Sequence, residues 1–344
     1  MDNRTNKQGF SVFHPVVLLA AAALIYFLNT GLFASSGDEL KVRQEIKKEV
    51  VDLFMQENFT ELDKLSAEYR ESGARTSSGL TKLSIFYRGI NGLVRAKKNN
   101  RPDYAIFIEK VDRWIASSPD LPSAYIVKGI ILTHEAWSIR GTAFAHKVSE
   151  QNMMFFKLKA RKTYRYLQSV KSKANTDPAW YEVSVRIMTA FERDRSKVMN
   201  VANEGLNKFP YYYELYFTTT FYLTPKWHGN DADIEEFALK SVQRTNEKDR
   251  MSMYARIYWN ADYENYRGKL FSHSDVNWKN MRSGFEDMID DYPVQYNIQK
   301  FAYYACLAKD KSTTQRIFKK VKEPILITIW LSQATHENCR RFAN

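Results

Sequence analysis

From Asp38 to the C-terminus, the apolar residues of this chain return every third or fourth position, and that spacing decides the fold class. In residues Glu39 to Gln56, Val42, Ile46, Val50 and Leu53 fall at intervals of four, four and three, while Lys41, Glu45, Lys48 and Glu49 lie off that line. An α-helix, at 3.6 residues per turn, gathers such a set onto one side. A second, shorter helix is expected around Leu62, Leu65 and Tyr69. Residues 73–79 (GARTSSG) read as a flexible link, with Ser78 placed to cap a helix that turns Leu80, Leu83, Phe86, Tyr87 and Ile90 inward. Glycine and proline number only 13 and 9 among 344 residues, too few for the tight turns of an all-β fold.

The prolines act as punctuation. Pro102 opens a helix carrying Ile106, Ile108, Val111 and Trp114, and residues 118–122 (SPDLP) make a compact connection. Asp177-Pro178 pairs an N-cap with a first-turn proline, ahead of Trp180, Val183, Ile187 and Phe191. Phe209-Pro210 and Tyr292-Pro293 close helices. Tetratricopeptide pairs run about 34 residues with a closing proline, and Asp177 to Pro210 spans 34. The two aromatic-proline pairs lie 83 residues apart, so the period is not strict. The expected fold is all-α: a tetratricopeptide-like helical-repeat array, or α-solenoid, with an N-terminal transmembrane or signal helix. The 21 Tyr, 21 Phe and 7 Trp are read as filling the wide gaps between helices.

Residues Phe10 to Leu28 form 19 consecutive uncharged positions. As a helix they would span roughly 28 Å, close to the hydrocarbon thickness of a bilayer. Arg4 and Lys7 precede the run, and Asp38 and Glu39 follow it, which places the N-terminus in the cytoplasm and the body outside. Two readings stand: an uncleaved anchor, and a signal peptide leaving at Ala34-Ser35-Ser36. The expected organisation is a cytoplasmic segment at 1–9, the anchor or signal at 10–30, N-terminal helices and linker at 31–75, and a helical domain at 76–344. The expected location is the bacterial inner membrane with the body periplasmic, or export after cleavage. Cys306 and Cys339 are the only cysteines; an oxidising compartment permits a disulfide, and two buried thiols are the alternative.

The formal net charge is +12. One long helix is expected from Thr142 to Lys173, with eight basic residues against Glu150 alone, so +7 of the total sits there. Its basic face holds Lys157, Lys159, Arg161, Lys162 and Arg165, opposite Met153, Phe156, Ala160, Tyr164 and Leu167. That face reads as solvated surface, or as a contact for anionic lipid or an acidic partner; an extracytoplasmic body disfavours nucleic acid.

Catalytic signatures are sparse. His134-Glu135-Ala136-Trp137-Ser138 lacks the second histidine of a zinc-peptidase helix, and His146 lies 12 residues beyond His134. Residues 224–231 (TPKWHGND) form a connection in which Asn230 or Asp231 caps a helix over 232–242, and Trp227 and His228 pin the loop or meet a ligand. No phosphate loop, nucleophile elbow or Cys/His metal spacing occurs. The expectation is no catalytic residue, no metal and no cofactor.

Several stretches together resemble a bacterial family, domain of unknown function 4034: TSSGLTKLSIFY (76–87), HEAWSIRGTAFAHKV (134–148), DPAWY (177–181), PKWHGN (225–230), YARIYW (254–259), VNWKNMRSGFEDM (276–288), FAYYACLAKD (301–310) and NCRRFA (338–343). The resemblance runs from Leu62 to the C-terminus. It implies a tetratricopeptide-like helical fold, often behind an export or anchor segment, and no activity. It also places cysteines at positions 306 and 339, which favours their pairing. The family pattern often carries Trp near the end, where this chain has Phe342.

The function expected on these grounds is a membrane-anchored or exported scaffold for a protein or cell-envelope polymer, contacting it through His134, Trp137, Arg140, Trp227, His228 and Tyr258. The alternatives are an enzyme assembled from His134, Arg140, His228 and Asp231, and a basic-face adaptor at an anionic membrane.

Overall fold

The computed structural model describes residues 36–95, 103–143 and 147–344. The segments expected at 1–9 and at 10–30, together with Pro102 and His146, lie outside them. No helix among the described residues is long and apolar enough to cross a membrane.

The described residues are helical and contain no strand, only an isolated antiparallel bridge between Arg75 and Thr81. Helices alternate between two layers. The first comprises α1 (Ser36–Met55), α3 (Lys82–Arg95), α5 (Pro122–Arg140), α8 (Pro178–Met188), α10 (Tyr213–Leu223) and α12 (Ser252–Ala261, continued by a π turn, Asp262–Tyr266). From α3 to α12 these pack side by side in chain order, and α1 lies against α3. The second layer comprises α2 (Phe59–Ser72), α4 (Tyr104–Ser117), α6 (Glu150–Ser169), α9 (Arg195–Lys208), α11 (Asp231–Asp249) and α14 (Trp278–Asp291), with short α7 (Lys171–Ala174) and α13 (Leu270–His273) in the connections. The chain closes with α15 (Gln295–Leu307), α16 (Lys311–Phe318), α17 (Ile327–Trp330) and α18 (Gln333–Ala343). Cys306 and Cys339 form a disulfide that ties α15 to α18, with Cα atoms 5.6 Å apart.

The layers bury their helices differently. In α8 and α10, Trp180, Val183, Ile187, Tyr213, Tyr216, Thr219, Phe221 and Leu223 are buried on every side. In α4 and α6 only a stripe is buried: Val111 and Trp114 in the one, Phe156, Ala160, Thr163 and Leu167 in the other. A helix apolar all round belongs between neighbours, and a striped one belongs at a surface.

Tyrosine hydroxyls clasp the helices together. Eight of them donate to carboxylates on another element or turn, among them Tyr87 to Asp177 (2.8 Å), Tyr181 to Glu204 (2.9 Å), Tyr213 to Asp249 (2.7 Å) and Tyr304 to Asp262 (3.0 Å). A buried phenol needs an acceptor, and a buried carboxylate needs donors, so each satisfies the other. Asp177 caps α8 as its sequence predicts, accepting from the Ala179 backbone, and also binds Arg70 and Tyr87.

Several sequence expectations change. The stretch 73–79 is a structured cradle, not a flexible link. Its Ser78 does not cap α3, which starts at Lys82. The Ser78 hydroxyl and backbone N–H instead donate to the Glu39 carboxylate at 2.7 and 2.9 Å, joined by Thr76 (2.9 Å) and Ser77 (2.6 Å) and by the Arg43 guanidinium. Burial alone would raise the Glu39 carboxyl; Arg43 and the hydroxyls of Ser77 and Ser78 more than offset it and hold it below its ordinary range. Gly79 sits at φ +92°, where a Cβ would come within 2.7 Å of the Arg256 guanidinium and 2.8 Å of the Tyr292 ring. The cradle is thus locked to distant helices: Arg256 and Asn297 donate to the Ser78 carbonyl, and Arg75 lies 4.5 Å from the Tyr213 ring centroid. Ile46, Val50, Phe54, Leu62 and Tyr69 share one continuous core with the later helices, so residues 39–75 pack as part of the same array.

The long helix expected over 142–173 is also interrupted. Among the described residues, α6 begins only at Glu150, where the Ser149 hydroxyl accepts from the Asn152 backbone at 3.2 Å, and Val170 separates it from α7. The helix expected over 232–242 instead runs from Asp231 to Asp249, with Asn230 and Asp233 forming a reciprocal capping box.

Candidate functional site

Where α5 ends and the α10–α11 connection begins, aromatic rings and cations collect. Trp137 sits on the last turns of α5, and Trp227 comes from the connection. Their ring centroids are 5.2 Å apart and nearly perpendicular, the edge-to-face geometry that aromatic quadrupoles favour. Phe156 of α6 adds a ring 4.9 Å from Trp137, and Phe221 of α10 another 5.3 Å from Trp227. Arg140, one turn after Trp137, places its guanidinium 5.9 Å from one indole and 5.4 Å from the other. Arg186, on α8, stacks 4.5 Å above Phe221.

The loop that presents Trp227 is fixed by geometry. A Cβ on Gly229 would lie 2.2 Å from the Leu223 carbonyl oxygen, so only glycine fits there. His228 Nε2 donates to the Thr189 carbonyl at 2.9 Å, and its ring rests on Tyr222 with centroids 5.0 Å apart. His228 therefore pins the loop.

His134 stands one turn before Trp137. Asn91 donates its amide nitrogen to the Tyr87 carbonyl (3.0 Å), which leaves its oxygen to accept from His134 Nε2 at 2.7 Å. That assignment puts the imidazole proton on Nε2. Burial, with Arg95 and Arg186 nearby, pushes the His134 pKa down to about 4, so the ring is neutral at physiological pH. One turn before Arg186, Glu182 accepts from Tyr212 (2.9 Å), and Arg88 binds Glu214 (2.7 Å). Burial and the neighbouring Glu214 push the Glu182 carboxyl up to about 7.

The cluster is left chemically open in one respect. The indole N–H groups of both Trp137 and Trp227 are buried and lack a hydrogen-bond partner among the described residues. An unmet buried donor costs about 1–3 kcal/mol, so two side by side call for an acceptor. Arg140 spends one guanidinium nitrogen on the carbonyls of Gly141 (3.2 Å) and Ala143 (3.1 Å), and no ion pair involves Arg95, Arg140 or Arg186 among the described residues. The arrangement can hold an acceptor-rich, negatively charged group against flat apolar rings. Its two histidines are committed to Asn91 and Thr189.

The structure thus brings together Trp137, Arg140 and Trp227, with His134 one turn away, and separates Tyr258. That residue is buried between α11 and α12, where its hydroxyl donates to Glu235 at 2.5 Å beside Tyr254. Asp231, of the enzymatic alternative, accepts from Tyr266 at 2.6 Å. Of the basic residues on α6, Lys159 turns back to Glu135 at 2.7 Å, while Lys157, Arg161, Lys162 and Arg165 take part in no ion pair among the described residues. Sequence reasoning missed Asn91, Phe156, Arg186 and Phe221. Arg186 carried a signal: it is the one cation in the largely buried α8. Among the described residues no group of three or more His, Cys, Asp or Glu side chains could hold a metal ion. Compared with known proteins, the chain matches no family model, no curated protein and no solved structure.

Proposed function

We propose that this chain is a non-catalytic, tetratricopeptide-like solenoid of the domain of unknown function 4034 type. It is held at, or exported across, a bacterial inner membrane by residues 10–28, with its helical body on the far side. Its role is to hold a carboxylate-rich protein or cell-envelope polymer at the cluster of Trp137, Arg140 and Trp227. One observation carries this reading: Arg140 lies beside two indoles whose N–H groups have no acceptor among the described residues. Such donors beside a guanidinium suit an oxygen-rich anion, and the rings suit the flat faces of sugars or side chains.

The test places a photo-crosslinking residue at exposed Lys226, next to Trp227, in intact cells, with exposed Tyr263 as the control site. The reading expects one reproducible partner at 226, lost when Arg140→Ala and Trp227→Ala are introduced together. The same adducts from both sites, or adducts that survive the double variant, would overturn it.

A further inference from the structure

Helix α6 has a second apolar face that its inward packing does not use. Phe156, Ala160, Thr163 and Leu167 point into the core at spacings of four, three and four. Met154, Leu158, Arg161 and Arg165 repeat that spacing two positions earlier, about 200° around the helix, and so face outward. Met154 is 52% exposed, Phe155 44% and Leu158 55%. Ten large apolar side chains are exposed among the described residues, and these three stand together on a single turn. Toward the C-terminal end of the same face the chemistry changes to Arg161, Lys162 and Arg165, with Lys157 alongside. No acid follows Glu150 on this helix. Two shallow depressions flank the ridge, and Leu158 borders both.

We propose that this face is a membrane contact: Met154, Phe155 and Leu158 enter the interface of an anionic phospholipid bilayer, while Lys157, Arg161, Lys162 and Arg165 meet its headgroup phosphates. A surface-lying helix joins a bilayer through a modest apolar wedge combined with cations whose long stems reach phosphate level. The charge suits an anionic surface, because four cations here have no protein counter-charge among the described residues. The inference rests on the reading that the chain works at a membrane, and does not involve the Trp137–Trp227 cluster.

The test uses the full chain with Met154→Cys carrying an environment-sensitive fluorophore; both native cysteines are already bonded, so labelling is selective. Tyr263→Cys, at a 74% exposed site, serves as control. The chain is reconstituted with vesicles of neutral phosphatidylcholine, or of phosphatidylcholine with phosphatidylglycerol. With anionic vesicles the label at 154 should shift to the blue and resist aqueous iodide severalfold better than in neutral ones, while the label at 263 stays in water. High salt, or Arg161→Gln, Lys162→Gln and Arg165→Gln together, should return it to water, since the attraction is screened and depends on those charges. A chain anchored in vesicles whose 154 label quenches equally in both lipids overturns the proposal and leaves the membrane tether standing. A chain that associates with neither vesicle overturns both.

Discussion

The Glu39 cradle and the Trp137–Trp227 cluster are built from similar parts and end in opposite states. Each joins a loop to distant helices, and each buries polar atoms beside an arginine. In the cradle, the Glu39 carboxylate receives three hydroxyls, one backbone N–H and a guanidinium. In the cluster, two indole N–H groups donate to nothing among the described residues. A closed network serves the fold, because removing any member leaves a buried group stranded. An open one forgoes free energy in the unliganded chain, and a ligand can recover it.

That contrast can be tested by substitution. Glu39→Ala strands the half-buried Arg43 and three hydroxyls and should cost about 3–5 kcal/mol in chemical denaturation. A loss under about 1 kcal/mol would mean the cradle is not closed. Gly79→Ala comes next: the left-handed backbone and the crowding against Arg256 and Tyr292 should cost about 2 kcal/mol, read as a lowered melting temperature. Glu182 lies between the two extremes. Its carboxyl titrates near 7 in the folded chain, above its ordinary 4.5. Its protonated form is therefore favoured by folding, and the stability it contributes is present below 4.5 and lost as pH rises through 7. His134 acts in the opposite sense: its pKa, lowered from 6.5 to about 4, contributes stability above 6.5 that is lost as pH falls through 4. Glu182→Gln should remove the first dependence, so that denaturation midpoints rise more steeply from pH 5 to pH 7 than in the parent. The smallest effect on stability is expected from Trp227→Phe, which keeps a ring and deletes an unmet donor. Relief of that donor is offset by the packing lost with the smaller ring, so stability should change by less than about 0.5 kcal/mol while partner capture weakens about tenfold. A loss of several kcal/mol there would move the indole into the closed class.

What the sequence made legible was local, and what it hid was long-range. Asp177 reads as an N-cap from its place before Pro178, but its bonds to Arg70 and Tyr87 join residues 107 and 90 positions away. Ser78 has the chemistry of a cap, and 39 positions back a carboxylate claims it first. Periodicity ran straight through Ser149, so one helix was expected where a cap starts a new one. In the candidate site, Trp137 and Arg140 are one turn apart and legible as a pair; Phe221 and Arg186 join them only because α8 and α10 pack side by side. The outward ridge of α6 escaped notice because one apolar stripe already accounted for the helix.

The tyrosine clasps set how this chain meets alkali. Burial pushes the phenols of Tyr87, Tyr212 and Tyr304 well above 10, and a neighbouring carboxylate pushes each one further. Negative charge cannot form on these rings while the helices stay together, and an unfolded chain would ionise them near 10. Base should therefore act on the array as a denaturant, with the clasp tyrosines ionising in one steep step of phenolate absorbance that coincides with loss of helix. Independent ionisation of the clasp rings, spread over several pH units in a still-helical chain, would mean that the clasps do not hold the helices together.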